Sequence, residues 1–190
     1  VRQGLVRALI ELHKNFSLFD RQPTDLEILR GNVVLASSSA AGGLRMVVVG
    51  LVPGLTVHAA KMAALGAGAK VVGSSAFKLD MKKVLEIVNL NPDIVLLTGG
   101  TDGGDSSTLL YNARLLANSS LSVPIVVAGN QAVAIEVCEI LKGGDKEIRS
   151  ASNVLPQTGK LAVESAREEI RKLFMERITN AKGLDDIKDL

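Results

Sequence analysis

The feature that most constrains this chain is a repeated alternation of short β-branched runs with longer amphipathic stretches. AKVVGSS precedes KLDMKKVLEIV, PDIVLLTGG precedes SSTLLYNARLLAN, and VPIVVAGN precedes QAVAIEVCEILKGG, with KEIRSAS as a last, weaker strand. Short apolar strands separated by helices of about ten or more residues cannot be joined as hairpins. They imply a parallel sheet covered by helices on both faces. Right-handed crossovers then leave few topologies.

The expected fold class is α/β: a mostly parallel sheet with helices on both faces, a three-layer sandwich of the Rossmann or flavodoxin-like kind. Upstream, VVLASSSAAGGLRMVVVGLV places two β-branched runs around Ala40, Ala41, Gly42 and Gly43. This predicts strands at about 33–38 and 45–52 joined by a glycine turn, a β-hairpin-like start. Pro53 and Gly54 end the second strand, Thr56 is placed to cap a helix running to about Leu65, and Gly66 and Gly68 close it.

Residues 1–14 are expected to be helical, with Leu5, Leu9 and Leu12 on one face, and Thr24 with Glu27 has capping-box spacing for a short helix over 25–29. The division read from the sequence is an N-terminal helical segment 1–31, an α/β domain 32–155, and a C-terminal amphipathic helix within 156–190. In that helix Val163, Ile170, Leu173, Phe174 and Ile178 share a side, with Glu168 and Lys172 an i,i+4 pair on the other. Such a helix packs on the sheet or leads to the next domain.

Aromatic residues make up only 3% of the chain and Trp is absent, so the core is aliphatic. The 22 basic and 20 acidic side chains form no basic block, which argues against a nucleic-acid partner. The apolar stretch MVVVGLVPGL is broken by Gly50, Pro53 and Gly54 and falls short of the roughly 20 residues of a membrane helix. The lone Cys138 cannot form an intramolecular disulfide, so a reducing, cytoplasmic setting is expected, with the thiol a small buried residue. The start at Val1 points to a chain processed or cut from a longer one.

In a parallel α/β sheet, ligands bind beyond the carboxyl ends of the strands. Three polar ends converge there: SSAF, TGGTDGGD and AGNQ. The candidate contact residues are Thr98, Gly99, Gly100, Thr101, Asp102, Gly103, Gly104 and Asn130, with Ser38, Ser39, Gly42 and Gly43 at the upstream turn. The glycines let a backbone approach a ligand closely, and the next helix opens near Ser106, capped by that hydroxyl or by Asp105. Free N–H groups at a helix start favour an anion, yet Asp102 and Asp105 place two negative charges there. Neither GxGxxG nor GK[ST] is present. The loop therefore reads as a strand-to-helix turn or a ligand or partner contact, rather than a catalytic loop.

Two histidines and one cysteine far apart in sequence make no familiar metal pattern. Cobalamin-binding domains use Asp-x-His-x-x-Gly; here the stretch is Thr56-Val57-His58-Ala59-Ala60-Lys61, lacking both the Asp and the Gly.

The strings SSAAGGLRMVVVGLVP, AALGAGAKVVG, NPDIVLLTGGTDGG, VVAGN and FMERITNAKGLDDI together resemble the glutamate mutase MutL family, unrelated to mismatch-repair MutL. The resemblance runs from about Asn32 to the C-terminus. It implies part of an actin-like ATPase superfamily protein that assists or reactivates an adenosylcobalamin-dependent amino-acid mutase of the glutamate, lysine or ornithine type. ATP and Mg²⁺ are implied for the longer parent, and cobalamin indirectly through the partner mutase. The family's Asp-x-Gly-Ser-Thr and Asp-x-Gly-Gly-Ala-Thr-Thr-Asp phosphate loops do not occur here, so the chain corresponds to the region between them. A binding or structural domain without a complete ATP site or cofactor follows; the alternative is a flavodoxin-like module for a small ligand, cobalamin or a nucleotide. Ser37 stands where the family often has Cys, so no thiolate role arises at that turn.

Overall fold

A computed structural model describes residues 44–181, with side chains described to 176. Five parallel strands alternate with five helices. These are β1 (Leu44–Gly50), α1 (His58–Gly66), β2 (Ala69–Ala76), α2 (Met81–Asn89), β3 (Ile94–Leu97), α3 (Ser107–Ala117), β4 (Ile125–Val127), α4 (Ala134–Lys142), β5 (Ile148–Ser150) and α5 (Glu164–Ala181). The strand order is β2-β1-β3-β4-β5, and every pairing of neighbours is parallel. This is the flavodoxin-like doubly wound order, with its switch point between β1 and β3. One compact unit, Ala40–Phe174, contains all five strands.

The alternation of side chains along each strand builds the two cores. Met46, Val48, Ile94, Leu96 and Val126 face α1 and α5; Val47, Val49, Val95, Leu97, Ile125 and Val127 face α2, α3 and α4. The central strands are therefore apolar at successive positions, since both faces are buried. β2 has the outer position and is only half-buried along most of its length. A register shift at Met46/Val47 inserts one extra β2 residue, Val72, opposite β1.

α1 meets the sheet through small side chains: Ala59, Ala60, Ala63 and Ala64 are all fully buried. α5 covers the same face through Ala166, Ile170 and Leu173. Arg171 Nη2 donates to the carbonyl of Gly66 at 3.1 Å, tying α5 to the C-terminal end of α1.

Several expectations change. The run 33–38 and the glycine turn after it lie outside the described residues. Over Leu44–Gly50 one edge of β1 is taken by β2, and over Met46–Val49 the other is taken by β3. Thr56 does not cap α1 from outside. It sits inside a wide turn, Pro53–Val57, that leads into α1. Its Oγ1 accepts from the N–H groups of Leu51 (2.8 Å) and Val52 (2.9 Å) instead. Lys172 pairs with Glu169 at 2.6 Å, one position from the expected Glu168, and that hydrogen bond holds the Lys172 ammonium above its ordinary pKa. The N-terminal helical segment and Ile178 fall outside the described side chains.

The alanine face of α1 leaves no space for a larger side chain. Ala63→Leu is expected to lower stability by about 1–3 kcal/mol through overpacking. Urea unfolding checks this, with a lower midpoint at unchanged m-value.

Candidate contact site at the carboxyl edge of the sheet

The carboxyl ends of β1, β3, β4 and β5 bring the loops after them side by side. Thr98 continues β3: its N–H donates to the carbonyl of Val49 at 2.8 Å. Its buried hydroxyl donates to the same carbonyl at 3.2 Å. The chain then leaves the sheet through Gly99 and Gly100, both at positive φ. At Gly100 (φ +70°) a Cβ would collide with the Asp105 carbonyl oxygen, so only glycine lets the loop close on itself.

Asn130, fully buried at the end of β4, holds this loop. Its Oδ1 accepts from Gly103 N–H (3.1 Å) and Ala132 N–H (3.0 Å), while its Nδ2 donates to the carbonyls of Gly104 (3.2 Å) and Asp105 (3.3 Å). Its backbone N–H donates to the carbonyl of Gly99 at 3.0 Å. One buried amide side chain thus satisfies four backbone groups of the surrounding loops.

A second latch comes from Asn153, after β5. Its Nδ2 donates to the Gly100 carbonyl (3.0 Å) and to Asp102 Oδ1 (2.8 Å), and its Oδ1 accepts from Leu155 N–H at 3.0 Å. The same Asp102 oxygen accepts from Gln131 N–H at 3.0 Å, and Asp102 N–H donates to the Pro156 carbonyl at 3.0 Å. Asp105, not Ser106, caps α3: its Oδ2 accepts from Thr108 N–H at 3.2 Å and its Oδ1 from the Ser107 hydroxyl at 3.0 Å.

The structure therefore gathers Thr98, Gly99, Gly100, Thr101, Asp102, Gly103, Gly104 and Asn130 into one hydrogen-bonded assembly. Thr98 and Asn130 are buried within it, and Asp102, Gly103, Gly104 and Asp105 face outward. Ser38, Ser39, Gly42 and Gly43 lie outside the described residues. Asn153 and Gln131 join the site without having been singled out from the sequence. The signal for them was the polar strand ends AGNQ and SASN.

Chemically, the assembly presents two carboxylates on a rigid frame. No group of three His, Cys, Asp or Glu side chains suited to a metal ion occurs among the described residues. His58 is exposed at the start of α1, and Thr56, at the place of the cobalamin motif's Asp, has its hydroxyl committed to the backbone. Cys138 lies on α4, half-buried; burial pushes its pKa up, against smaller lowering effects of Ser150 and Lys142. No described helix is long and apolar enough to cross a membrane.

Strand order and crossovers define a flavodoxin-like doubly wound α/β domain. The chain belongs to the MutL protein family, whose model matches residues 1–190. Protein MutL of Clostridium tetanomorphum is 52% identical over 152 residues, covering 80% of this chain and 33% of that protein. The chain thus spans about a third of the length of that curated relative. A short-chain flavodoxin associated with a non-canonical PDU bacterial microcompartment matches 70% of this chain and 98% of its own, at 15% identity and TM-score 0.45. A NarL signal receiver domain from Mycobacterium tuberculosis matches 69% of this chain and 93% of its own, at 22% identity and TM-score 0.36.

Asn130→Ala leaves two N–H groups, of Gly103 and Ala132, and two carbonyls, of Gly104 and Asp105, without this partner. A loss of roughly 1–3 kcal/mol is expected, with faster hydrogen exchange at the Gly103 amide as the local readout. For Cys138, a raised pKa means less thiolate at neutral pH. Alkylation by iodoacetamide at pH 7.5 is expected to be slower than for a free thiol such as glutathione, measured by mass spectrometry.

Proposed function

We propose that this chain is the α/β domain of a MutL-type accessory protein that assists or reactivates an adenosylcobalamin-dependent amino-acid mutase in the cytoplasm. The observation that carries the reading is the match to a curated MutL protein at 52% identity over 152 residues. The family relation supports the accessory role, and in this reading a mutase of glutamate, lysine or ornithine type is the partner. In this reading the parent protein is an actin-like ATPase using ATP and Mg²⁺, and this domain lies between its phosphate loops. Cobalamin reaches the complex with the mutase.

The edge described above supports a contact role over a catalytic one. Asp102 and Asp105 set negative charge where a phosphate would have to sit. The polar atoms of Asn130 and Asn153 are engaged in holding backbone. What the domain offers is a stiff surface whose shape is set before any partner arrives, so that little ordering entropy is lost on binding.

Two titrations test this. Isothermal calorimetry of the chain with a purified adenosylcobalamin-dependent glutamate mutase is expected to show a saturable complex, and no heat with any mutase type would sink the accessory role. Calorimetry with Mg-ATP is expected to show no micromolar binding by this chain; a clear micromolar isotherm would overturn the assignment of the nucleotide site to other parts of the parent.

A further inference from the structure

Beyond β2 the chain does something the fold does not require. Phe77 has φ +65°, the left-handed region, and its side chain is 56% exposed. The other non-glycine residues there among the described residues, Asn91 and Asp145, are types that enter this region readily; an aromatic residue is not. Its backbone is held from both sides. Phe77 N–H donates to the Leu51 carbonyl at 3.1 Å. Asn112, 1% exposed on α3, donates from Nδ2 to the Phe77 carbonyl (3.0 Å) and accepts at Oδ1 from Leu79 N–H (2.8 Å). A buried amide thus fixes a strained backbone, and the result is a ring turned toward solvent at the carboxyl edge. Glycine would satisfy the same turn without strain. Strain held by a dedicated partner points to function.

The surroundings say what the ring meets. Met81 and Leu85 are 62% and 56% exposed, one turn apart on α2. Tyr111, 39% exposed on α3, has the Lys78 ammonium 5.4 Å from its ring centre, which brings it to the residue next to Phe77. Lys82 and Lys83 follow on α2, while the Asp80 carboxylate is engaged by Lys83 N–H as the helix cap. Together these residues make an aromatic and methionine surface whose nearby charges, Lys78, Lys82 and Lys83 against Glu86 and the capping Asp80, are mostly positive, a composition that suits a protein interface. The acidic loop carrying Asp102 and Asp105 lies on the other side of β1, after β3.

We propose that Phe77 is the anchor of a docking surface formed with Met81, Leu85 and Tyr111, and that its occupant is a partner-protein surface presenting an apolar hollow flanked by carboxylates. These lysines supply the charge complementarity that selects such an occupant. Naming that partner as the mutase rests on the function proposed above.

The test uses the whole chain, purified glutamate mutase, and three variants: Phe77→Gly, the Lys78→Glu/Lys82→Glu pair, and Ile135→Ser as a control on α4, where Ile135 is 78% exposed outside the patch. Phe77→Gly is expected to weaken the complex at least tenfold while its melting midpoint stays level or rises, because strain is relieved. The lysine reversal is expected to weaken binding and flatten its salt dependence, and Ile135→Ser to leave it unchanged. Undiminished binding by Phe77→Gly overturns the anchor while leaving the accessory role intact. A large fall in its melting midpoint also overturns it, since the ring would then be a structural element. Unchanged affinity after lysine reversal overturns the acidic character of the occupant. If the unaltered chain forms no complex, the accessory reading fails first, and this surface with it.

Discussion

A parallel sheet buried on both faces satisfies its backbone within the ladder, but only as far as the ladder runs. Where β1, β3 and β4 end, carbonyl and N–H groups emerge into a region still shielded by helices and must find partners without water. That constraint shapes the rest of the molecule. It is why Asn130, Asn153 and Asn112 are all nearly sealed from solvent, and why each bridges backbone groups of a different segment. The amide is the one neutral side chain that both donates and accepts with a planar geometry like the peptide's own. Each one extends the sheet's hydrogen bonding past its last strand residue.

The strand and helix alternation was readable because two-sided burial leaves a plain trace: near-continuous apolar runs such as IVLL and IVV. The gathering of the Thr98–Gly104 loop with Asn130 was readable for the same reason, since parallel strands put all their carboxyl ends on one edge. The order β2-β1-β3-β4-β5 was not, because periodicity reports which residues face a core and says nothing of which strand lies beside which.

The latches were illegible for a different reason. Asn153 and Asp102 are separated by 51 positions, and Asn112 and Phe77 by 35. No local pattern announces a pairing of that span. Thr56 shows the converse case, in which a residue suited to a helix cap was drawn into a tighter bond with the turn before it. Phe77 carries no local signal either, since left-handed backbone is normally announced by glycine.

The amide at 130 has one more consequence. Aspartate has almost the same size and shape and lies a single base change away in the genetic code. It could still accept from Gly103 and Ala132, but as a carboxylate it has no proton to offer the carbonyls of Gly104 and Asp105. It would also bring a third negative charge to the neighbourhood of Asp102 and Asp105. Swapping one nitrogen for one oxygen would turn two attractions into two repulsions, so the edge of this domain is guarded by chemical identity where volume alone could not distinguish the two residues.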